Sequence, residues 1–287
     1  MDGIVVAAHG RQYWVDTTDG RRLPCVPRGK KSEIACGDRV MLSLPSSDQG
    51  CIERIEPRQS LLYRSNEFRQ KLIAANLTQI VIVLACEPPF SEDVLNRCLI
   101  AAEDQDLHTL IVLNKVDLAD KRVLAETVLA PYTKLGYKVL ALSAHMDIEP
   151  LREALRGHHS VLVGQSGMGK STLTNALIPE AKAPTREISE ALQSGKHTTT
   201  HATLYRLPND AEGWLIDSPG LQEFGLAHLD ADRITRAMPE FSARVGECRF
   251  RDCRHDREPG CAILEAFERQ EITFSRYTTF RNLVGGG

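Results

Sequence analysis

The octapeptide Gly164-Gln165-Ser166-Gly167-Met168-Gly169-Lys170-Ser171 has the spacing G-x-x-x-x-G-K-S, and it constrains the chain more than any other feature. Glycines at this spacing let backbone N–H groups converge on phosphate oxygens, provided a strand precedes the loop and a helix follows it. The apolar run 161–163 and the helical spacing of 171–177 meet that requirement. A second pattern, Asn114-Lys115-Val116-Asp117, is an N-K-x-D, the kind of loop that reads a guanine edge. A third, Asp217-Ser218-Pro219-Gly220, is a D-x-x-G. The base reader ordinarily follows the phosphate loop. Here Asn114 comes fifty positions before Gly164. The order therefore predicts a nucleotide-binding α/β sheet whose chain is circularly permuted.

Hydrophobic patterning agrees. From about residue 78 strand and helix signals alternate, with apolar strand runs at 80–85, 110–113, 139–142, 161–163 and 214–216 and helical periodicity at 94–103, 119–135, 150–155 and 171–177. Four motifs fall at the C-terminal ends of four of these strands, where open α/β sheets bind ligands. The fourth is Ser143-Ala144, after the strand at 139–142.

Each motif has a chemical reading. Lys170 reaches the β and γ phosphates as a point charge, Ser171 places a hydroxyl on Mg²⁺, and the helix beginning near Ser171 and Thr172 adds its N-terminal dipole. A buried Asp117 carboxylate accepts the two N–H donors of guanine, which adenine lacks, so ATP would leave it unpaired. Asn114 holds neighbouring loops, and the Lys115 stem covers the base. Asp217 holds Mg²⁺ through water, and the Gly220 N–H meets the γ-phosphate. The next residue, often a water-orienting Gln in such sites, is Leu221, so hydrolysis by the isolated chain is expected to be slow. The polar segment 182–201 contains Gly195-Lys196-His197-Thr198-Thr199-Thr200-His201 and stands where a switch loop belongs. One of Thr198, Thr199 and Thr200 would bind Mg²⁺. His197 is a candidate for positioning water, and a surface histidine is the equal alternative.

The flanks differ from this centre. Residues 1–60 carry short strand-like runs at 4–8, 12–17, 22–26 and 39–44, with Asp19-Gly20 as a hairpin turn. They predict a small β-barrel, either an OB-fold or an SH3-like barrel. Arg28, Lys30 and Lys31 lie in a predicted loop of it. Net charge is −3, yet residues 1–74 hold 12 Lys/Arg against 9 Asp/Glu, residues 75–228 hold 13 against 19, and residues 229–287 hold 10 arginines against 10 acids. Arginine suits phosphate recognition. No apolar run approaches the ~20 residues of a membrane helix, and the N-terminus lacks the basic segment of a signal peptide. A cytoplasmic location is expected.

Five of the eight cysteines, Cys25, Cys36, Cys51, Cys86 and Cys98, stand alone in apolar surroundings and read as reduced core residues. The other three form Cys248-x4-Cys253-x-His255-x5-Cys261, three thiols and an imidazole in fourteen residues. That donor set suits a closed, tetrahedral, structural Zn²⁺ site. A helical run at 262–269 follows.

Taken together, the permuted motif order, the Gly-Lys-His-Thr-Thr-Thr segment at 195–200 and the Cys/His cluster resemble the ribosome small subunit-dependent GTPase A family over essentially the whole chain. The resemblance implies a multidomain protein: an N-terminal all-β OB-fold barrel that binds RNA (1–63), a central permuted α/β P-loop GTPase domain (64–228) and a C-terminal, mainly helical zinc-binding domain (229–287). It implies GTP hydrolysis stimulated by the small ribosomal subunit, contact with its rRNA, a role late in that subunit's maturation, one structural Zn²⁺ per chain, Mg²⁺ with GTP, and action as a monomer. Two other readings remain at this stage. One is a non-enzymatic, GTP-gated RNA-binding scaffold, kept open by Leu221. The other is a permuted GTPase of the large subunit.

Overall fold

The computed structural model describes residues 1–9, 12–29, 33–46, 48–65, 70–183, 202–210, 212–220 and 224–285. Strands β1 (Asp2–His9), β2 (Gln12–Thr17), β3 (Arg22–Pro27), β4 (Arg39–Ser43) and β5 (Gly50–Ile55) run in the order β1-β2-β3-β5-β4, and β4 returns to pair with β1. That closure is an OB-fold barrel. Alternation builds it: Tyr13, Val15 and Thr17 of β2 and Leu23 and Cys25 of β3 point inward, and the core gathers Val5, Val40, Leu42 and Ile52 around them. The turn at Asp19-Gly20 forms, with Gly20 N–H donating to Thr17 O at 3.0 Å. Cys25, Cys36, Cys86 and Cys98 are buried as expected, whereas Cys51 is only half-buried, because its side chain leaves the barrel interior to Gly50 and Ile52.

A hairpin that the sequence reading did not foresee follows the barrel. Strands β6 (Leu61–Ser65) and β7 (Gln70–Ala75) form their own two-stranded sheet, and Tyr63 lies within β6. Neither segment alternates cleanly between apolar and polar, and no Asn-Gly or Asp-Gly pair joins them, so the usual hairpin signals are missing.

The central sheet runs β10 (Lys138–Ala141), β9 (His108–Asn114), β8 (Gln79–Ala85), β11 (His159–Val163), β13 (Trp214–Asp217) and β12 (Thr203–Arg206). The first five are parallel and β12 is antiparallel to β13. Every residue of β8 is buried, which is why it reads as an unbroken apolar run. Strand β12 also pairs with β1 through Ala7 and Thr203, so barrel and central sheet form one continuous hydrogen-bonded surface.

Helices α1 (Glu92–Asp104), α2 (Ala119–Lys134), α3 (Glu149–Leu155) and α4 (Lys170–Leu177) connect the parallel strands. The Ser91 side chain caps α1 by accepting the Val94 N–H. The C-terminal part contains α5 (Ala231–Arg236), α6 (Pro239–Ser242), α7 (Ala262–Glu268) and α8 (Phe274–Val284). Helix α8 packs on α1 through a buried polar network. The Arg276 guanidinium donates to both Glu240 carboxylate oxygens, at 2.5 and 3.0 Å. Asn96 donates to Ser275 Oγ and Thr279 Oγ1, and Tyr132 Oη donates to Asn96 Oδ1 at 2.8 Å. Both members of the ion pair are buried. Replacing Glu240 with Ala strands a buried guanidinium, which costs about 3–5 kcal/mol. Denaturant unfolding of Glu240→Ala is expected to show a loss of that size, and a loss below about 1 kcal/mol would contradict the assignment.

Candidate GTP site and metal centre

Strand β11 ends at Val163, and the P-loop turns beneath β8 to enter α4. Two glycines are required there. A Cβ at Gly164 (φ +147°) would overlap Val83 O, and one at Gly169 (φ +92°) would overlap Asn114 Nδ2. Lys170, the first residue of α4, is buried, and its Nζ donates to Gly164 O and Gln165 O, both at 2.9 Å. The ammonium is thus aimed across the loop that would hold the phosphates. Burial pulls its pKa down to about 8, against the opposing charge of Asp217. Thr172 lies one turn position beyond Ser171, half-buried.

Asp217 ends β13 and is 1% exposed. Ser171 Oγ donates to its Oδ2 at 3.0 Å, while Oδ1 is buried and has no hydrogen-bond partner among the described residues. Burial raises the carboxyl to about 6, with Lys170 and Ser171 pulling the other way. A buried carboxylate with one unsatisfied oxygen beside a serine hydroxyl fits a Mg²⁺ ion. Gly220 lies against Ser166, where an added Cβ would sit 3.0 Å from Ser166 Cα, so the D-x-x-G loop closes over the P-loop.

The base-reading loop joins the phosphate loop through Asn114. Its Nδ2 donates to Met168 O at 3.0 Å and its Oδ1 accepts from Ala144 N–H at 3.1 Å. Lys115 adopts a left-handed backbone (φ +63°), and its Nζ donates to Gly167 O at 2.9 Å and Glu87 O at 2.8 Å. Val116 N–H reaches Leu142 O. Asp117 differs from the expectation. It is exposed rather than buried. A hydrogen bond from the buried Ser143 holds its carboxyl below the usual range. Discrimination against adenine by this residue would therefore depend on the base itself covering the carboxylate. Asp117→Asn is expected to weaken GTP roughly 100-fold while favouring xanthine nucleotides, consistent with about 3 kcal/mol for charge-assisted hydrogen bonds. Competition binding with GTP, ATP and XTP checks this, and unchanged GTP affinity would contradict it.

One contact lacked any sequence signal. Gln165 Oε1 accepts the Ser91 backbone N–H at 2.7 Å, tying the P-loop to the cap of α1, the helix that carries Asn96 against α8. The expectations for His197, Thr198, Thr199, Thr200, Leu221, Lys30 and Lys31 fall outside the described residues. Arg28 is described and ion-paired to Glu53 at 2.5 Å.

At the other end, the ligand atoms of Cys248, Cys253, His255 and Cys261 all lie within 4.8 Å of one another. His255 turns Nδ1 inward, 3.5 Å from Cys248 Sγ and 3.3 Å from Cys261 Sγ. Tyr277 of α8 donates its hydroxyl to His255 O at 2.9 Å, and Cys261 caps α7. The loop is braced by Glu258, which accepts the N–H groups of Arg254, Asp256 and Arg257. Burial pushes the Cys253 and Cys261 thiols up. Thiols held together at this distance fit a cation that would take them as thiolates, and the cluster is a metal site.

A P-loop at the end of β11, a base reader at the end of β9 and a D-x-x-G at the end of β13, in this chain order, define a circularly permuted GTPase. Here it carries an OB-fold barrel and a Cys3His metal module. Residues 55–227 match the model of the RsgA GTPase family. The chain is 54% identical to the small ribosomal subunit biogenesis GTPase RsgA of Paraburkholderia phytofirmans, covering 99% of this chain and 92% of that protein. It is 51% identical to the protein of the same name from Nitrosospira multiformis, over 99% and 90%. YjeQ of Thermotoga maritima superposes with a TM-score of 0.74 at 31% identity, covering 98% of this chain and 96% of that one. YloQ, described as a circularly permuted GTPase, superposes at 0.69 and 25% identity, covering 98% and 92%. The chain belongs to the RsgA GTPase family and is a GTPase.

Proposed function

We propose that this GTPase binds the small ribosomal subunit through its rRNA and acts late in that subunit's maturation, with hydrolysis stimulated by the subunit and coupled to release. The observation that carries this reading is near-full-length similarity to relatives whose names state small ribosomal subunit biogenesis, together with retention of all three parts of the molecule. We take residues 1–63, 64–228 and 229–287 as the working division into RNA-binding barrel, permuted GTPase and zinc-binding module.

Within the site, Lys170 would neutralise the β and γ phosphates, Gly164–Gly169 backbone groups would cradle them, and Gly220 would meet the γ-phosphate. Ser171 and Asp217 would hold Mg²⁺, which supplies charge neutralisation at the phosphates. Asn114, Lys115 and Asp117, with Ser143 and Ala144, would hold and read guanine. Thr198–Thr200 would report the γ-phosphate, and His197 is a candidate for orienting water. Cys248, Cys253, His255 and Cys261 fill all four places of a structural Zn²⁺ site. We place the protein in the cytoplasm as a monomer.

The pairing of β1 with β12 supports nucleotide-dependent docking. Strand β12 begins directly after the segment assigned to the switch, so a shift there acts on the first strand of the barrel. Sedimentation with separated ribosomal subunits, comparing GDP with a non-hydrolysable GTP analogue at matched salt, tests the reading. Expected are binding to the small subunit alone, at least tenfold tighter with the analogue, equivalent to about 1.4 kcal/mol, and weakening as salt rises. Binding to the large subunit, or equal binding in both nucleotide states, would overturn the partner or the switch, respectively.

A further inference from the structure

A cleft of about 820 Å³ lies between the barrel and the central sheet, away from the G motifs. Its floor is formed by His159 and Trp214, the first residues of the parallel strands β11 and β13. The P-loop and Asp217 stand at the opposite ends of these strands, roughly 17 and 10 Å away at about 3.3 Å per residue. The volume is in the range of small-ligand pockets, which favour junctions between structural units.

The walls are fixed. Ala75 N–H donates to Cys36 O at 2.9 Å, and Asn76 Nδ2 donates to Gly37 O at 3.0 Å, joining the barrel to the end of β7. On the floor, the His159 imidazole stacks on the buried Trp214 indole, with centroids 4.4 Å apart and planes 14° from parallel. His159 Nδ1 lies 3.1 Å from Asn76 O, an acceptor, so this nitrogen carries the proton and the ring is locked in place. Burial lowers the imidazole's pKa, hydrogen bonds to the Asn76 and Glu212 backbone oppose that, and the charges of Arg39 and Arg206 add to the lowering, which puts both guanidinia near the ring.

The charges that line the cleft sort into spent and available. Asp16 is held bidentately by Arg22, at 2.6 and 2.9 Å, and Glu56 is paired with Arg54 at 2.9 Å. Arg39 and Arg206 are exposed, and their guanidinium groups have no ion-pair or hydrogen-bond partner among the described residues. Asp2 and Glu212 remain as carboxylates on the rim. An inorganic anion would use only the two arginines and would be opposed by the two acids. A purely aromatic ligand would use only the floor. A nucleotide unit uses all three: phosphate on the guanidinium forks, base against the imidazole, and ribose hydroxyls or a base amino group donating to the carboxylates.

We propose that this cleft is a second nucleotide-binding site, separate from the GTP site, that takes one nucleotide unit between Arg39, Arg206 and the His159–Trp214 stack. The unit is either a free nucleoside phosphate or one residue of a single-stranded RNA. The proposal does not depend on the ribosomal reading above.

The test uses the full-length protein saturated with GDP and Mg²⁺, so that the guanine site is filled. The probes are uridine 5′-monophosphate, labelled oligouridylate, uridine and inorganic phosphate, measured by calorimetry and fluorescence anisotropy. Expected is binding of the monophosphate or the oligonucleotide at least tenfold tighter than of uridine or phosphate. Arg39→Ala and Arg206→Ala should each weaken it at least tenfold, with GTP affinity and melting temperature unchanged. Comparable binding of monophosphate and oligonucleotide assigns a free nucleotide, and binding of the oligonucleotide alone assigns an RNA strand. Failure of both to bind at millimolar concentration, or affinities unchanged when both arginines are replaced, overturns the proposal.

Discussion

Removing the proposed Zn²⁺ ion is expected to unfold the segment that carries the Cys3His cluster while leaving GTP affinity within about twofold. From Ser242 to Gly260 not one residue is buried. The hydrophobic contribution that holds other parts of the chain is small there, limited to half-buried residues such as Cys248 and Cys253, and the polar contacts, among them the Glu258 brace, Tyr277–His255 and the Arg281–Asp256 ion pair, are few. Apparent binding energies for structural Zn²⁺ are about 10–16 kcal/mol near neutral pH, far more than one carboxylate brace supplies. Metal analysis of protein purified without chelator should give about one zinc per chain, the number one Cys3His site holds. Cys253→Ala should lose it, with increased proteolysis between Ser242 and Cys261. Intact α7 and α8 are expected to stay on α1, because Phe241, Ile263, Ile272 and Phe280 belong to the same core cluster as Leu95 and Leu99. Absence of stoichiometric zinc, or unchanged protease resistance after its removal, would refute a structural metal.

Lys170→Ala is expected to lower GTP turnover about a hundred- to a thousandfold, the usual cost of removing one preorganised charge-stabilising donor. The pH profile identifies its role. In the free protein Asp217 titrates at about 6 and Lys170 at about 8, both displaced by burial. In the proposed roles the carboxylate must be charged to hold Mg²⁺ and the ammonium charged to meet phosphate. Activity per enzyme at subsaturating GTP should therefore rise as pH passes about 6 and fall as it passes about 8, since such profiles report free-enzyme groups. Lys170→Ala should erase the alkaline limb and keep the acid limb. A profile flat from pH 5 to 9 would mean that neither group governs the rate.

Motifs whose function depends on adjacent residues were readable directly. The P-loop, the base reader, the D-x-x-G and the metal ligands each span a few positions, and the apolar strands before them mark their places on a sheet. The permutation was equally plain, because motif order is a property of the chain and sheet order a property of the fold. Asp117 marks the boundary. Its identity follows from the pattern, but its exposure depends on how the loop folds. Hairpin β6–β7 lacked turn chemistry, and α8 lacked a clean apolar stripe because it buries Arg276 and Thr279 instead.

By itself, then, the chain carried its motifs, the G-x-x-x-x-G-K-S loop, the N-K-x-D, the D-x-x-G and the Cys3His cluster, along with a barrel, a permuted sheet and a helical tail. Only tertiary structure decided how these parts meet. The pairing of Ala7 with Thr203 joins residues 196 positions apart, and the Arg276–Glu240 pair is buried only because α8 lies on α1. Gln165 reaches Ser91, and Arg39, Arg206 and His159 come to line one cleft, for the same reason. Local periodicity reports which face of an element is apolar, but the partner of that face depends on packing the whole chain, and a buried ion pair or interdomain cleft exists only after that packing is complete.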